Sequence, residues 1–135
     1  MQTKTMRVYY LIWALVLFGT EILIGTVWSG WYWLRAYGGD ILVIPLIYCM
    51  IRIFTAKLPR LMPFLVCCTG FLAEFLQYIH LADLLGFAHG SLPAILIGTS
   101  FSWLDMLCYI AGMGLIYLMI AGRLLLTRHK KGVTV

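Results

Sequence analysis

Four runs of apolar residues, each close to the length of a bilayer crossing, constrain this chain more than any other feature. They extend from about residue 8 to 28, 38 to 56, 61 to 82 and 102 to 126. A helix needs roughly 20 residues to cross a hydrocarbon core about 30 Å thick. In lipid a single apolar run satisfies its own backbone only as a helix, since a strand needs a closed barrel of neighbours. The expected fold is therefore all-α: one integral membrane domain over residues 1–135, built as a four-helix transmembrane bundle. A fifth apolar piece, LPAILIG at 92–98, is too short to span and holds Pro93 and Gly98. It reads as a short re-entrant or interfacial outer segment. Composition agrees, with 63% hydrophobic and 11% charged residues against about 25% charged in soluble domains. The first run is too long for a cleavable signal peptide, and no small-x-small site follows it.

Basic residues predict how the bundle sits. Lys4 and Arg7 precede the first run, Arg52, Lys57 and Arg60 end the second and fill the next loop, and Arg123, Arg128, Lys130 and Lys131 close the fourth. Only Arg35 falls on the other side, so nine of the ten cations share one side. The excess of Lys and Arg in cytoplasmic loops then predicts that both termini are cytoplasmic. These anchors against an anionic leaflet account for the net charge of +5, so the expected partner is the lipid bilayer and no nucleic acid is invoked. Cys49, Cys67, Cys68 and Cys108 all lie inside the apolar runs with no C-x-x-C spacing. They read as small packing residues.

The acids show the opposite bias. Glu21, Asp40, Glu74, Asp83 and Asp105 are the five carboxyl groups, and in that orientation all map to the outer half. Glu21 and Glu74 lie well inside their runs, where an ionised side chain costs about 2.5–3.5 kcal/mol on insertion scales. Each is expected to be neutral, paired or facing a wet cavity. Glu74, Gln77 and His80 follow one another at i, i+3 spacing, which allows a polar stripe along the third helix. Arg35 is the one cation on that side and could serve Glu21, Asp40 and Glu74 as a shared counter-ion. Any single polar residue, such as Gln77 or Thr99, reads first as an interhelical hydrogen bond. Two deep glutamates with a lone arginine favour a functional cavity. The expected pocket thus comprises Glu21, Arg35, Asp40, Glu74, Gln77, His80, Thr99 and Asp105, open to the outer side. Trp28, Trp31, Tyr32, Trp33, Tyr37 and Trp103 read as an interfacial belt, and Gly112, Gly114 and Gly122 as close-packing positions.

No chemistry is spelled out beyond that. His80, Asp83, His89 and Asp105 are ligand types, but no H-x-x-x-H or H-E-x-x-H spacing occurs, so neither a metal nor another cofactor is expected. Ser100 and Ser102 lack a nucleophile motif, and catalytic residues are unassigned. Three readings remain open: an accessory protein binding an envelope lipid head group or precursor; a membrane-embedded enzyme with Glu74 or Asp105 as general base; and a proton- or ion-coupled carrier titrating Glu21 and Glu74. Four helices would need a homo-oligomer to build a carrier pathway, and no inverted repeat is visible.

Arg35 with GGD at 38–40, IYCMIR at 47–52, AEFLQYIHLADLLG at 73–86 and GTSFSWLDMLCYIAG at 98–112 together resemble a bacterial membrane family, the domain of unknown function 2809, over roughly residues 10–120. More distantly, Glu74 and Gln77, then Ser102 and Asp105, then Gly112 resemble the E-x-x-Q, S-x-x-D and glycine of the VanZ-like family. The resemblance implies a bacterial cytoplasmic (inner) membrane protein in a cell-envelope context. It marks Arg35, Asp40, Glu74, Gln77, Gly98, Thr99, Phe101 and Asp105. Both families tend to place an arginine before the G-T-x-F or S-x-x-D element, and HGSLPAILIG has none. Arg35 or His89 would have to substitute.

Overall fold

A computed structural model describes residues 2–98 and 100–132. All regular structure among them is helical. α1 spans Gln2–Thr26, α2 Gly39–Phe54, α3 Met62–Tyr78, α4 Leu81–Leu84, α5 Leu92–Ile97 and α6 Trp103–Gly132. A π-helical turn, Leu34–Gly38, runs directly into α2. Three segments are long and apolar enough to cross a membrane: Lys4–Thr26, Leu34–Phe54 and Trp103–His129. The apolar α3 has 17 residues, about 26 Å at 1.5 Å per residue, near the lower limit for a crossing. Only 22–28% of each long span is buried within the protein. The outward faces carry residues such as Leu15, Phe18, Phe75, Leu107 and Leu118, as the faces of a membrane-embedded bundle must.

Helix ends depart from the apolar runs where local chemistry takes over from hydropathy. α1 begins at Gln2 rather than near residue 8, because its buried face, Met6, Tyr10, Ala14 and Leu17, keeps helical spacing through the polar start. α6 likewise continues past residue 126 to Gly132. The third run is not one helix from 61 to 82. Pro63 opens α3 at its first turn and Tyr78 is its last residue. His80 then adopts a left-handed backbone conformation (φ 52°) and a separate turn, α4, follows. LPAILIG forms α5, with Pro93 in its first turn and Gly98 (φ 82°) ending it, the usual asymmetry of proline at a start and glycine past an end.

α2 is the central helix. α1 and α6 both pack along it, and α3 packs chiefly on α6. Pro45 explains how α2 and α6 come so close. It lies inside α2 and has no N–H to bond the carbonyl four residues back, Ile41. Gly112 of α6 fits against that freed oxygen: a β-carbon built there would stand 2.5 Å from Ile41 O and 3.0 Å from Ile44 Cβ. Gly70 of α3 likewise accepts the Tyr109 ring, which would lie 2.7 Å from an added β-carbon. Ile44, Val66, Cys67, Tyr109 and Ile116 fill the core between these helices. Cys49 and Cys67 are buried thiols within it, and Cys108 is buried outside that cluster.

Candidate functional site

Among the described residues, Glu74 is the one charged residue type that the core swallows, at 1% exposure, and both its oxygens are answered. Its Oε2 accepts the Ser102 backbone N–H at 2.9 Å. Its Oε1 accepts the Tyr109 hydroxyl at 3.2 Å. Ser102 is the N-cap of α6, its Oγ accepting the Asp105 N–H at 3.3 Å. In a capping box the acid three residues on would reach back to the cap's own N–H. Here Glu74 of α3 takes that N–H, 28 residues away in sequence. The start of α6 is thereby pinned to α3, and an acidic group stands at the positive end of the helix dipole. Asp105, relieved of the reciprocal bond, has its carboxyl within hydrogen-bonding reach of Asp40.

Asp40 opens onto a cavity of about 500 Å³ formed by α1, the π turn, α2 and α3, with Tyr109 of α6 behind it. Glu21, Arg35, Asp40, Thr69, Gln77 and Tyr109 supply its polar groups, while Ile24, Val43, Ile44 and Ile47 supply apolar wall. The cavity exists because α1 and α3 flank α2 without a packed interface of their own. Glu21 contributes an oxygen that is shielded from solvent yet has no hydrogen-bond partner among the described residues. Arg35 is exposed at the rim. Among the described residues no ion pair within 4.0 Å joins it to Glu21, Asp40 or Glu74. It is not the internal counter-ion that the sequence suggests.

The expected pocket therefore divides. Glu21, Arg35, Asp40 and Gln77 come together at the cavity. Glu74 faces α6 instead, and Asp105 meets the cavity only through Asp40. His80 is exposed beyond the end of α3, and Thr99 lies outside the described residues. The polar stripe divides between two neighbours: Glu74 is taken up by the Ser102 N–H and the Tyr109 hydroxyl, while Gln77, about 60° around the helix, lines the cavity. Thr69 and Tyr109 are the polar cavity residues missed in the sequence. Thr69, Ala73 and Gln77 fall at i, i+4, i+8, a spacing that could have revealed Thr69. Outside the cavity, Asp83 and His89 approach to 3.7 Å on the loop, both exposed.

What the cavity offers is mixed recognition. Two acids and an amide can accept or donate to hydroxyl and amino groups, and an arginine at the rim can hold an anion.

An all-helical, membrane-embedded bundle with a polar cavity among its helices is the class that these features define. Within that class the chain belongs to the family described as "Protein of unknown function (DUF2809)", whose model matches residues 29–113. The match takes in Arg35, Asp40, Glu74, Gln77 and Asp105 but not Glu21. No curated protein and no solved structure matches the chain.

Proposed function

We propose that this protein is an accessory protein of the bacterial cytoplasmic membrane that holds the polar part of an envelope lipid or lipid-linked precursor in the cavity between α1 and α3. Both termini would be cytoplasmic and the cavity would face outward, on the strength of the basic-residue asymmetry. The carrying observation is Glu21: a buried acceptor without a partner, set in a cavity with polar groups on one side and apolar wall on the other. A buried polar group left unanswered costs about 1–3 kcal/mol, and a ligand hydroxyl or amine would remove that cost. The more distant VanZ-like resemblance agrees with a cell-envelope context.

The test is thermal unfolding of purified protein in neutral detergent, with and without bacterial lipid extract. Glu21→Gln and Asp40→Asn are expected to leave the unliganded protein as stable as the parent and to abolish the extract-dependent shift. An unchanged shift in both variants would refute the reading.

A second reading has its own observation. Asp40 lines the cavity with Asp105 beside it, and the two would serve as acid and base toward a lipid-linked substrate, which would make the protein a membrane-embedded enzyme. Glu74 no longer suits the general-base role, since both its oxygens are engaged within the protein. In this case Asp105→Asn would keep the lipid-dependent shift and lose turnover.

A further inference from the structure

The bundle has a second polar centre, at the end opposite the cavity. Tyr10 of α1 is wholly buried, at 0% exposure. The Arg52 guanidinium of α2 lies 5.5 Å from its ring centroid, and the Arg123 guanidinium of α6 lies 5.9 Å from it. Tyr48 packs edge-on against the same ring, with centroids 5.8 Å apart. Arg52 uses one terminal nitrogen on the Ala56 carbonyl at 3.0 Å. That leaves three donors shielded from solvent and without a hydrogen bond among the described residues: the Tyr10 hydroxyl, beside Tyr48, the Arg52 Nε–H and the Arg123 Nε–H.

Charge balance is also incomplete there. Two guanidinium groups share one ring, and no described carboxyl group forms an ion pair with either. Asp40, the acid on α2, is twelve residues from Arg52, about 18 Å along the helix. The aromatic face attracts both cations but accepts none of the three N–H and O–H donors and neutralises no charge. Both arginines are half-buried, and a shielded Nε–H or hydroxyl left unanswered costs about 1–3 kcal/mol. An anion with several acceptor oxygens would answer these donors.

We propose that Arg52, Arg123 and the Tyr10 hydroxyl form a binding site for a phosphate group at the basic end of the bundle. Phosphate has the oxygens to take all three donors, and guanidinium groups match its geometry. The site lies between α1, α2 and α6, three helices long and apolar enough to cross a membrane, the setting in which basic pockets hold phospholipid head groups. A lipid phosphate is therefore the expected source. Tyr10 and Arg123 lie outside residues 29–113, so the site is not contained in the family match. It is also independent of the cavity at the other end.

The test uses full-length protein in neutral detergent, with thermal unfolding and native mass spectrometry. The probes are phosphatidylglycerol, phosphatidylcholine of the same chains, and inorganic phosphate against chloride at equal ionic strength. Phosphatidylglycerol should raise the unfolding midpoint and be retained in the mass spectrum, where phosphatidylcholine is not. Arg52→Gln/Arg123→Gln should lose that difference. Lys57→Gln/Arg60→Gln, which removes the same charge from an exposed loop, should keep it. Tyr10→Phe preserves the ring and its cation contacts, so it tests the site even where the double variant folds poorly; a roughly tenfold weaker affinity is expected from losing a hydrogen bond to a charged group. A comparable shift with inorganic phosphate alone would support the site and assign its ligand to a free anion. The proposal is overturned if neither phosphate source shifts the midpoint, if phosphatidylcholine acts equally, if the loop variant loses the effect too, or if Tyr10→Phe binds as the parent does.

Discussion

Glu74 shows how a single residue can look like a ligand site and act as a fastener. A glutamate deep in an apolar run must be neutral, paired or wet, and tertiary structure chose the second by giving it the Ser102 N–H and the Tyr109 hydroxyl. Glu74→Gln keeps an acceptor for one of these and turns an NH₂ toward the other, so a loss of about 1–3 kcal/mol is expected. Tyr109→Phe should cost about 1 kcal/mol by removing one donor. The two together should cost less than their sum, since they share a bond. Thermal or denaturant unfolding in detergent measures all three. Additive losses would show that the bond contributes nothing. The S-x-x-D run at 102–105 enters the sequence reading only through the VanZ-like resemblance, although its spacing is that of a capping box. That its reciprocal half comes from residue 74 is not legible in the sequence, because nothing local encodes a partner on another helix.

At the level of the element, glycine position decides how closely helices meet. Gly112→Ala would put a β-carbon 2.5 Å from the Ile41 carbonyl, which Pro45 leaves without its helical donor. Prising α6 from α2 should cost about 1–3 kcal/mol, the usual penalty of overpacking. Gly114→Ala, with nothing within 4 Å of the added carbon, should be neutral or stabilise by up to about 1 kcal/mol. Equal effects at the two positions would contradict the contact. Gly98→Ala is penalised twice: the φ of 82° disfavours a side chain, and the new carbon would strike the Gln77 amide. It should lower the unfolding midpoint and displace Gln77 from the cavity, weakening any lipid-dependent shift. Close packing around Gly112 was foreseeable from its helix. Which of the glycines 112, 114 and 122 makes the contact depended on the facing surface of α2, which no spacing within α6 reveals.

For the whole molecule, polarity along the bundle is the governing fact. Cations on α2 and α6 converge on Tyr10, whereas Glu21, Arg35, Asp40 and Gln77 converge on the cavity at the other end. The positive-inside rule predicts that the cation end is cytoplasmic. Cysteines introduced at Ser29 and Ala88 should react with a membrane-impermeant thiol reagent in intact cells. One introduced at Lys57 should react only after permeabilisation. The reverse pattern would invert the topology and place the cavity on the cytoplasmic side.

The sequence by itself determined the helical, membrane-embedded class, the approximate crossings and the segregation of acids from bases. Each is a sum over many residues against a uniform solvent, lipid or water, and such sums survive ignorance of the neighbours. Only the tertiary structure decided that Glu74 fastens α6 while Gln77, three residues on, faces the cavity. It alone decided that Arg35 lines the cavity without an ion pair to Glu21 or Asp40 among the described residues, and that Arg52 and Arg123 meet over one tyrosine. Those outcomes turn on differences of about 60° around a helix and a few ångströms between helices, which are set by what packs opposite and not by the chain's own pattern.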